Sequence, residues 1–342
     1  MSISRRKFLP LLGAAALSPS LMSFSEETQT DTISKILPPA LKKGATIAVT
    51  SPAGALRDLS TATKFKSKLQ SLGFNVVMGE TVNAKFGYLA GEDDLRVNEL
   101  QHFFSDPAID AIVCMKGGYG CMRIIDKLDY ALIRKNPKIF MGFSDITALL
   151  NAVYLKSGVV TFHGPVGNSS WNDFSLLHIN SVLMHGHQII YRSPAKPEDE
   201  VKVVRAGKAE GILFGGNLSV LCGMIGTPYF PELKGAILFL EEVKEEPFRI
   251  DRMFAQLRLA GAFEKINGLI IGKFRDCIPE EPDFAFSSDE VIQQYFANAP
   301  FPVISNAMIG HIADKFTIPV GIRAQLDSES KSFRLLEPAV LT

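Results

Sequence analysis

The sequence predicts an α/β protein, and the pattern of its apolar residues carries that prediction. Between residues 44 and 166, strand-like apolar runs alternate with helix-like runs, which is typical of a mostly parallel sheet covered by helices on both faces. Between residues 206 and 342, strand-like runs dominate around one strong helical run. With 46% hydrophobic residues over 342 positions, the chain has enough apolar material for two cores.

The first region reads as a strand followed by four helix–strand units. The opening strand is "ATIAVTSPAG", and it ends in a Ser-Pro-Ala-Gly loop. The helix and strand runs that follow are "LSTATKFKSKLQSLG" and "NVVMG", "DDLRVNELQHFF" and "AIDAIVCMKGG", "CMRIIDKL" and "KIFMGF", and "DITALLNAVYLKSG" and "VVTFHGP". In such sheets the loops at the carboxyl ends of the strands form the ligand site.

The second region reads as a separate, strand-rich domain. Its predicted strands are "AEGILFGG", "GAILFLEEV", "INGLIIGKF", "PVISNAMIGH" and "SFRLLEP", and its helix is "EPFRIDRMFAQLRLAG". Residues 167–205 are polar and irregular and predict a linker between the domains, and residues 26–43 predict a tether before the first domain.

The first 25 residues have the composition of an export signal. A basic start precedes an apolar stretch that is too short to span a membrane, and small residues follow it. Arg5 and Arg6 stand side by side before Phe8 and Leu9, which predicts a twin-arginine signal and a periplasmic protein without a transmembrane span in its mature form. A chance basic pair in an ordinary secretory signal is the alternative.

The balanced charge and the scattered cysteines and histidines argue against nucleic-acid binding and against a metal site. Lys plus Arg and Asp plus Glu number 36 each, so the chain has no overall field that would recruit nucleic acid. The four scattered cysteines predict neither a disulfide framework nor a metal site. His178, His185 and His187 lack a nearby carboxylate or cysteine at ligand spacing, so we expect them on the surface. No metal or cofactor is predicted.

Ser144 lies in "MGFSDIT", where a buried strand meets a helix, and its sequence position has two interpretations. A serine there can cap the helix, which Ser and Asp favour. It can also be a nucleophile whose hydroxyl leaves the top edge of the sheet beside free helix amides. The hydrolase motif Gly-x-Ser-x-Gly fails as written, because its fifth position is Ile146.

The segment "KGGYG", residues 116–120, also follows a strand. Adjacent glycines let backbone amides approach a ligand closely, as in an oxyanion hole, and they also occur in plain tight turns. The glycine spacing does not match the dinucleotide fingerprint, which weakens the alternative of a nucleotide-dependent oxidoreductase.

Glu241 and Glu242 end the strand in "LFLEEV", where only one of two neighbours can face inward. A carboxylate that faces a cleft can orient a histidine. His311, in the loop "GHIADKFTIPVG", is a candidate general base, and His163 in "FHGP" is its rival. Arg249 lies on the helix that follows the glutamates, where periodicity favours an exposed ion pair.

These stretches resemble, in the same order, the LD-carboxypeptidase family of serine peptidases, which includes the microcin C immunity peptidases. Seven segments over about 270 residues carry the resemblance, and together they are far more specific than any one of them. They are "TSPAG", "KGGYG", "GFSDIT", "HGP", "GGNLSVLCGMIGTPY", "LEEVKEEPFRIDRM" and "GHIADKFTIPVG".

The resemblance implies a Rossmann-like amino-terminal domain, a smaller β-rich carboxyl-terminal domain and a homodimer. It also implies a triad of Ser144, His311 and Glu241 that joins the two domains. The backbone amides of Gly118 and Asp145 would form the oxyanion hole.

Two further positions concern substrate binding. Arg249 is a candidate for reading the terminal carboxylate of the substrate. The family commonly has arginine where this chain has Lys116, which keeps the charge but loses the bidentate geometry.

The implied activity is removal of the terminal D-alanine from peptidoglycan stem tetrapeptides. Two alternatives stay open at this point. One is a peptidase that acts on a modified peptide, as in microcin immunity. The other, from a different class, is an exported solute-binding protein with two domains around a cleft.

Overall fold

The computed structural model describes residues 34–342. The predicted export signal over residues 1–25 and the first part of the predicted tether lie outside the described residues. Within residues 34–342, no helix combines the length and the apolarity that crossing a membrane requires.

Two sheets contain the strands of the described chain. The strands are β1 Thr46–Thr50, β2 Asn75–Met78, β3 Ala111–Cys114, β4 Ile139–Gly142, β5 Thr161–His163, β6 Ile190–Tyr191, β7 Lys202–Arg205, β8 Lys208–Asn217, β9 Ile237–Val243, β10 Gly268–Arg275, β11 Val303–Ser305, β12 Ile318–Val320, β13 Arg323–Asp327 and β14 Ser332–Leu335.

The α-helices of the described chain surround and join these sheets. They are α1 Ser60–Ser71, α2 Asp93–Ser105, α3 Tyr130–Lys135, α4 Thr147–Ser157, α5 Asp173–Ile179, α6 Leu218–Met224, α7 Pro247–Leu259, α8 Ala262–Lys265 and α9 Ser288–Phe296.

The first sheet has the order β12-β5-β4-β3-β1-β2, and its first five strands along the chain are parallel. This confirms the α/β prediction for the amino-terminal half. Every residue of β3, β4 and β5 is buried, as expected for parallel strands covered on both faces. The strand order reverses beside β1, so the loops after β1, β3 and β4 open at the edge where such sheets bind ligands.

The second sheet has the order β6-β14-β13-β8-β9-β10-β11-β7. Its centre, β8 to β11, is parallel, while the outer strands are antiparallel. The strand-rich second half is therefore also as predicted. Here β9 is central, and six of its seven residues are buried.

Helix α4 connects the two sheets. It is apolar nearly all round, and its buried residues contact strands on both sides, as expected for a helix inside a core. The hydroxyl of Thr147 accepts a hydrogen bond from the backbone N–H of Asn217 at 3.0 Å, and Asn151 donates to the carbonyl of Gly215 at 3.0 Å. A methyl group at Gly216 would fall 2.4 Å from the Thr147 hydroxyl. This close approach brings the end of β4 to the second sheet.

The loop that carries His311 also joins the sheets. It begins after β11, in the second sheet, and ends at β12, which pairs antiparallel with β5 in the first sheet. The carboxyl-terminal half of the chain therefore supplies an edge strand to the amino-terminal sheet.

Three segments differ from the sequence predictions. The predicted linker over residues 167–205 contains α5, β6 and β7, and both strands pair within the second sheet. In the described part of the predicted tether, Leu41 is buried in the core and Ile36 forms a bridge with Val159. The helix expected at "CMRIIDKL" is only a 3-10 turn at Cys121–Arg123. The α-helix between β3 and β4 is α3, which begins later, at Tyr130.

Candidate active site

Ser144 occupies a tight turn between β4 and α4. Its φ of 65° is in the left-handed region, which costs a side chain of this kind about 1–3 kcal/mol and is typical of functional turns. Within the described chain its hydroxyl makes no helix-capping hydrogen bond. The capping interpretation of Ser144 is therefore wrong, and the hydroxyl is free for another partner.

Two glycines make room for this turn. A methyl group at Gly142 would fall 2.8 Å from the side chain of Ile146, and one at Gly117 would fall 2.7 Å from Cβ of Ser144. Distances below about 3 Å between such atoms require something to shift. The turn therefore needs a glycine two positions before the serine, and it needs a second glycine, Gly117, in the loop after β3 that packs against Ser144.

Three polar side chains meet at the end of the two sheets. The Nε2 atom of His311 lies 3.1 Å from Oγ of Ser144, and its Nδ1 atom lies 2.8 Å from Oε2 of Glu241. Both distances are within hydrogen-bonding range. With Nδ1–H donated to the carboxylate, Nε2 is unprotonated and able to accept the serine proton, which is the tautomer a general base needs.

Glu241 is fully buried, and its neighbour Glu242 points to the other side of β9. Burial alone would raise the pKa of Glu241, but the hydrogen bond and charge of His311 lower it below its ordinary value. A methyl group at Gly310 would fall 2.8 Å from Oε2 of Glu241, so the residue before His311 must be small. Glu242 instead accepts hydrogen bonds from Asn217 and from the backbone N–H of Ser219. Glu242 therefore supports the start of α6, and Glu241 is the glutamate that reaches the histidine.

The predicted oxyanion donors lie on the two loops beside Ser144. The backbone N–H of Gly54 donates to the carbonyl of Gly117 at 3.1 Å, so the Gly118 N–H of the same trans peptide points away from Gly54. In the part of the chain that is described, the Gly118 N–H has no hydrogen-bond partner. Asp145 is at the start of a helix, where backbone N–H groups are free of helical partners.

Side chains fix these loops in position. The carboxylate of Asp145 accepts the backbone N–H of Cys121 at 2.9 Å, which ties the turn of Ser144 to the glycine loop. The buried Arg96 donates to the carbonyls of Pro52 and Gly120 at 2.7 and 3.0 Å. The Asp145 side chain therefore has a structural role in holding the two loops together.

The two predicted substrate-binding cations differ in position. Lys116 is in the glycine loop and donates to the carbonyl of Ala55 at 2.8 Å, and burial together with Arg57 lowers its pKa. Arg249 has a side chain that is 59% exposed and lies 3.8 Å from the carboxylate of Glu245. Arg249 faces a surface pocket that contains none of the three residues Ser144, His311 and Glu241. The structure thus does not bring Arg249 to the site.

Among the described residues, His311 is the histidine that lies within hydrogen-bonding distance of the Ser144 hydroxyl, and the other histidines do not contact it. His163 is buried against the rings of Phe143 and Phe239, and burial lowers its pKa to about 4. His178 was expected on the surface but is buried against Tyr191 and Phe316, so that expectation was wrong. Among residues 34–342 there is no group of three or more side chains that could hold a metal ion.

Sequence reasoning missed two neighbours of the site. Gly117 contacts the serine directly, although only its position in a double glycine indicated this. Lys315 is buried next to the ring of Phe143, with Nζ 4.2 Å from the ring centroid. Its position four residues after His311 was the only available signal.

Two family models match the chain. The model for the LD-carboxypeptidase N-terminal domain matches residues 47–164, and the model for the LD-carboxypeptidase C-terminal domain matches residues 210–326. The first match includes Ser144 and the second includes Glu241 and His311.

Individual relatives agree with these matches over most of the chain. A probable murein peptide carboxypeptidase of Bacillus subtilis is 36% identical over 304 residues, which cover 86% of this chain and 92% of that protein. The crystal structure of an MccF-like protein from Bacillus anthracis is 31% identical, with a TM-score of 0.78, and the match covers 88% and 99% of the two chains. The structure of a muramoyltetrapeptide carboxypeptidase from Oxalobacter formigenes is 29% identical, with a TM-score of 0.74 and coverage of 85% and 98%.

Proposed function

Because the chain belongs to the LD-carboxypeptidase family, we propose that it removes the terminal D-alanine from murein tetrapeptides with Ser144, His311 and Glu241 as its catalytic triad. Membership in a family of carboxypeptidases also removes the support for a solute-binding protein. The observation that carries the proposal is the continuous chain of hydrogen bonds from Ser144 through His311 to Glu241.

In the first half of the reaction, Ser144 attacks the carbonyl carbon of the scissile bond. His311 takes the proton of the serine hydroxyl at Nε2 as the new C–O bond forms. Glu241 accepts the hydrogen bond from Nδ1–H and stabilises the imidazolium that results. When the tetrahedral intermediate collapses, His311 gives its proton to the leaving nitrogen, and D-alanine departs while the tripeptide stays as an ester on Ser144.

In the second half, water hydrolyses that ester. His311 takes one proton from the attacking water and returns it to the Ser144 oxygen when the tripeptide carboxylate is released. The amides of Gly118 and Asp145 are the proposed donors to the oxyanion in both halves. Losing one such donor typically costs about 3–4 kcal/mol of transition-state stabilisation.

The murein substrate is supported by the names of the relatives, which include a murein peptide carboxypeptidase and a muramoyltetrapeptide carboxypeptidase. The similarity to an MccF-like protein supports a second candidate, a peptidase that acts on a modified peptide. Both candidates use the same three side chains, so only substrates distinguish them.

The test is to incubate the purified protein with a muropeptide tetrapeptide and follow the product by mass. We expect loss of a single alanine by the wild type and no detectable loss by Ser144→Ala. Ser219→Ala is a matched control, because its hydroxyl bonds only Asn217 within the described chain. Equal turnover by the wild type and Ser144→Ala would remove Ser144 from the mechanism, and cleavage of a microcin-like aminoacyl conjugate alone would favour the second candidate.

Two properties accompany this proposal. Export through a twin-arginine signal would bring the enzyme to stem peptides in the periplasm, and a reporter fused after residue 25 with Arg5 and Arg6 changed to lysine tests it. A homodimer is the assembly that the family resemblance implies, and light scattering of the mature chain measures it.

A further inference from the structure

Lys315 is a buried cation beside the proposed triad. Only 4% of its surface is exposed, and its Nζ lies 4.2 Å from the centroid of the Phe143 ring. Its one side-chain hydrogen bond within residues 34–342 is a long one, 3.4 Å to Oγ of Ser169. Over the same residues no carboxylate lies within ion-pair distance of this ammonium group. At least two of its three N–H donors therefore have no protein acceptor.

A buried ammonium group without a carboxylate in direct contact is unfavourable, because burial removes its hydration and the charge of the more distant Glu241 offsets only part of that cost. The ring of Phe143 offsets part of this cost through a cation–π contact. Burial lowers the pKa of Lys315 to about 8, so the side chain is still mostly charged at neutral pH. An unpaired cation in such a place is suited to an anionic ligand.

The distance to the proposed base agrees with that role. The ring centroids of Phe143 and His311 are 4.8 Å apart, and this distance and the 4.2 Å contact add to 9.0 Å. The Lys315 ammonium therefore lies no farther than 9.0 Å from the centroid of the imidazole ring.

The chemistry of a carboxypeptidase requires a group that recognises a carboxylate, such as a cation, within that range. His311 must protonate the leaving nitrogen, so the leaving residue lies next to the imidazole. In that residue the carboxylate is separated from the nitrogen by a single carbon, and their atoms are about 3 Å apart. Adding one hydrogen bond of about 3 Å at each end places the cation roughly 6–9 Å from the base.

The other two candidate cations are less suited to this role, because neither is as deeply buried as Lys315. Arg249 is on the surface beside Glu245, and Lys116 bonds the carbonyl of Ala55. We propose that Lys315 binds the terminal carboxylate of the peptide substrate and thereby selects for cleavage of the last residue. This inference rests on the proposed carboxypeptidase function.

The experiment measures binding separately from turnover. Calorimetry gives the Kd of a tetrapeptide that ends in D-alanine and of the same peptide with a terminal amide. Both peptides are titrated into Ser144→Ala and into Ser144→Ala combined with Lys315→Met. We expect the first protein to bind the acid about 10- to 100-fold more tightly than the amide, and the double variant to bind both equally.

Two controls separate this role from a structural one. Lys315→Arg keeps the charge and is expected to keep part of the preference for the acid. Lys138, which directly precedes β4, is another buried lysine, and it donates to the carbonyl of Asp106. The variant Lys138→Met is expected to keep the full preference for the acid. An unchanged preference for the acid in the Lys315→Met double variant would overturn the inference.

Turnover by the wild type tests the proposed function itself. If the wild type cleaves the tetrapeptide but Lys315→Met leaves the preference for the acid unchanged, only the role of Lys315 is wrong. If the wild type does not cleave it while the preference depends on Lys315, the carboxylate site stands and the proposed reaction is wrong. If the peptide is neither cleaved nor bound, both are wrong.

Discussion

A methyl group added to Gly117 would fall 2.7 Å from Cβ and 2.9 Å from Oγ of Ser144. The loop after β3 thus packs against the turn after β4 at Oγ of Ser144, the proposed nucleophile. Any side chain at position 117 competes with Ser144 for the same space.

Gly117→Ala is expected to lower kcat/KM for the tetrapeptide about 100-fold. The added methyl group displaces the Ser144 hydroxyl from His311, and a shift of about 1 Å can have an effect of this size. Steady-state kinetics measures it. Gly223→Ala is the control, since its new methyl group would meet only the flexible tip of Met122, and a similar loss in that variant would mean that the effect is not local.

Glu241→Gln is expected to lower kcat/KM about 10³- to 10⁴-fold without unfolding the protein. The amide of glutamine can present an N–H to Nδ1, which favours the wrong tautomer of His311 and leaves the imidazolium without its carboxylate. Glu242→Gln is the matched control on the next residue of the same strand, and it should change kcat/KM by no more than a few-fold. Equal losses in both variants would contradict the assignment of Glu241.

Local sequence predicts where this site lies but not the role of each residue. Alternating apolar runs predict parallel strands, and polar residues directly after such strands predict a site, which makes Ser144 and the pair Glu241 and Glu242 candidates. Only the family resemblance implies that Ser144, His311 and Glu241 form a triad. His311 was harder to distinguish from His163, because both follow short apolar runs. They differ in burial, because His163 is enclosed against Phe239 whereas the side chain of His311 stays partly exposed, and this depends on packing between the sheets.

The pH dependence of stability is expected to report on His163. Burial lowers the pKa of His163 to about 4 from an ordinary value of 6.5. Between pH 6.5 and pH 4, His163 is therefore mostly protonated in the unfolded chain and mostly neutral in the folded chain. This contribution to stability is complete above pH 6.5 and is lost as the pH falls towards 4, by up to ~3 kcal/mol.

Urea denaturation of the wild type and of His163→Phe across that pH range measures the effect. The variant keeps an aromatic ring between two aromatic neighbours but removes the titrating group, so its unfolding free energy should fall less steeply below pH 6.5. Parallel curves for the two proteins would mean that His163 is not responsible.

Lys315→Met is expected to raise the unfolding free energy at pH 7 by about 1–3 kcal/mol. The lysine is charged and buried there, and the charge of Glu241 offsets only part of the cost of burial, whereas methionine fills a similar volume without that cost. Because the folded-state pKa of Lys315 is about 8 and its ordinary value is 10.5, the wild type should become more stable between pH 8 and 10.5. The difference between the two proteins in urea denaturation should therefore shrink over this range, and a Lys315→Met protein that is less stable at pH 7 would contradict the account.

The sequence does not predict that Lys315 is buried. It also does not predict that β12 pairs with the first sheet. Residues Ile318–Val320 form a short apolar run, and such a run fits any open sheet edge. The surroundings of Lys315 come from Phe143 and Ser169, which are more than 140 residues away in the chain. Closeness in the sequence is also misleading for Arg249, which follows Glu241 and Glu242 closely in the chain but lies at the surface away from Ser144.

The loop of His311 is anchored in one sheet through β11 and in the other through β12. A hinge motion that parted the two sheets would pull the imidazole away from Ser144 and would also strip β12 from the edge of β5. Any motion that separates the two sheets would therefore have to break the hydrogen bonds between β12 and β5 at the same time as it dismantles the pair of Ser144 and His311.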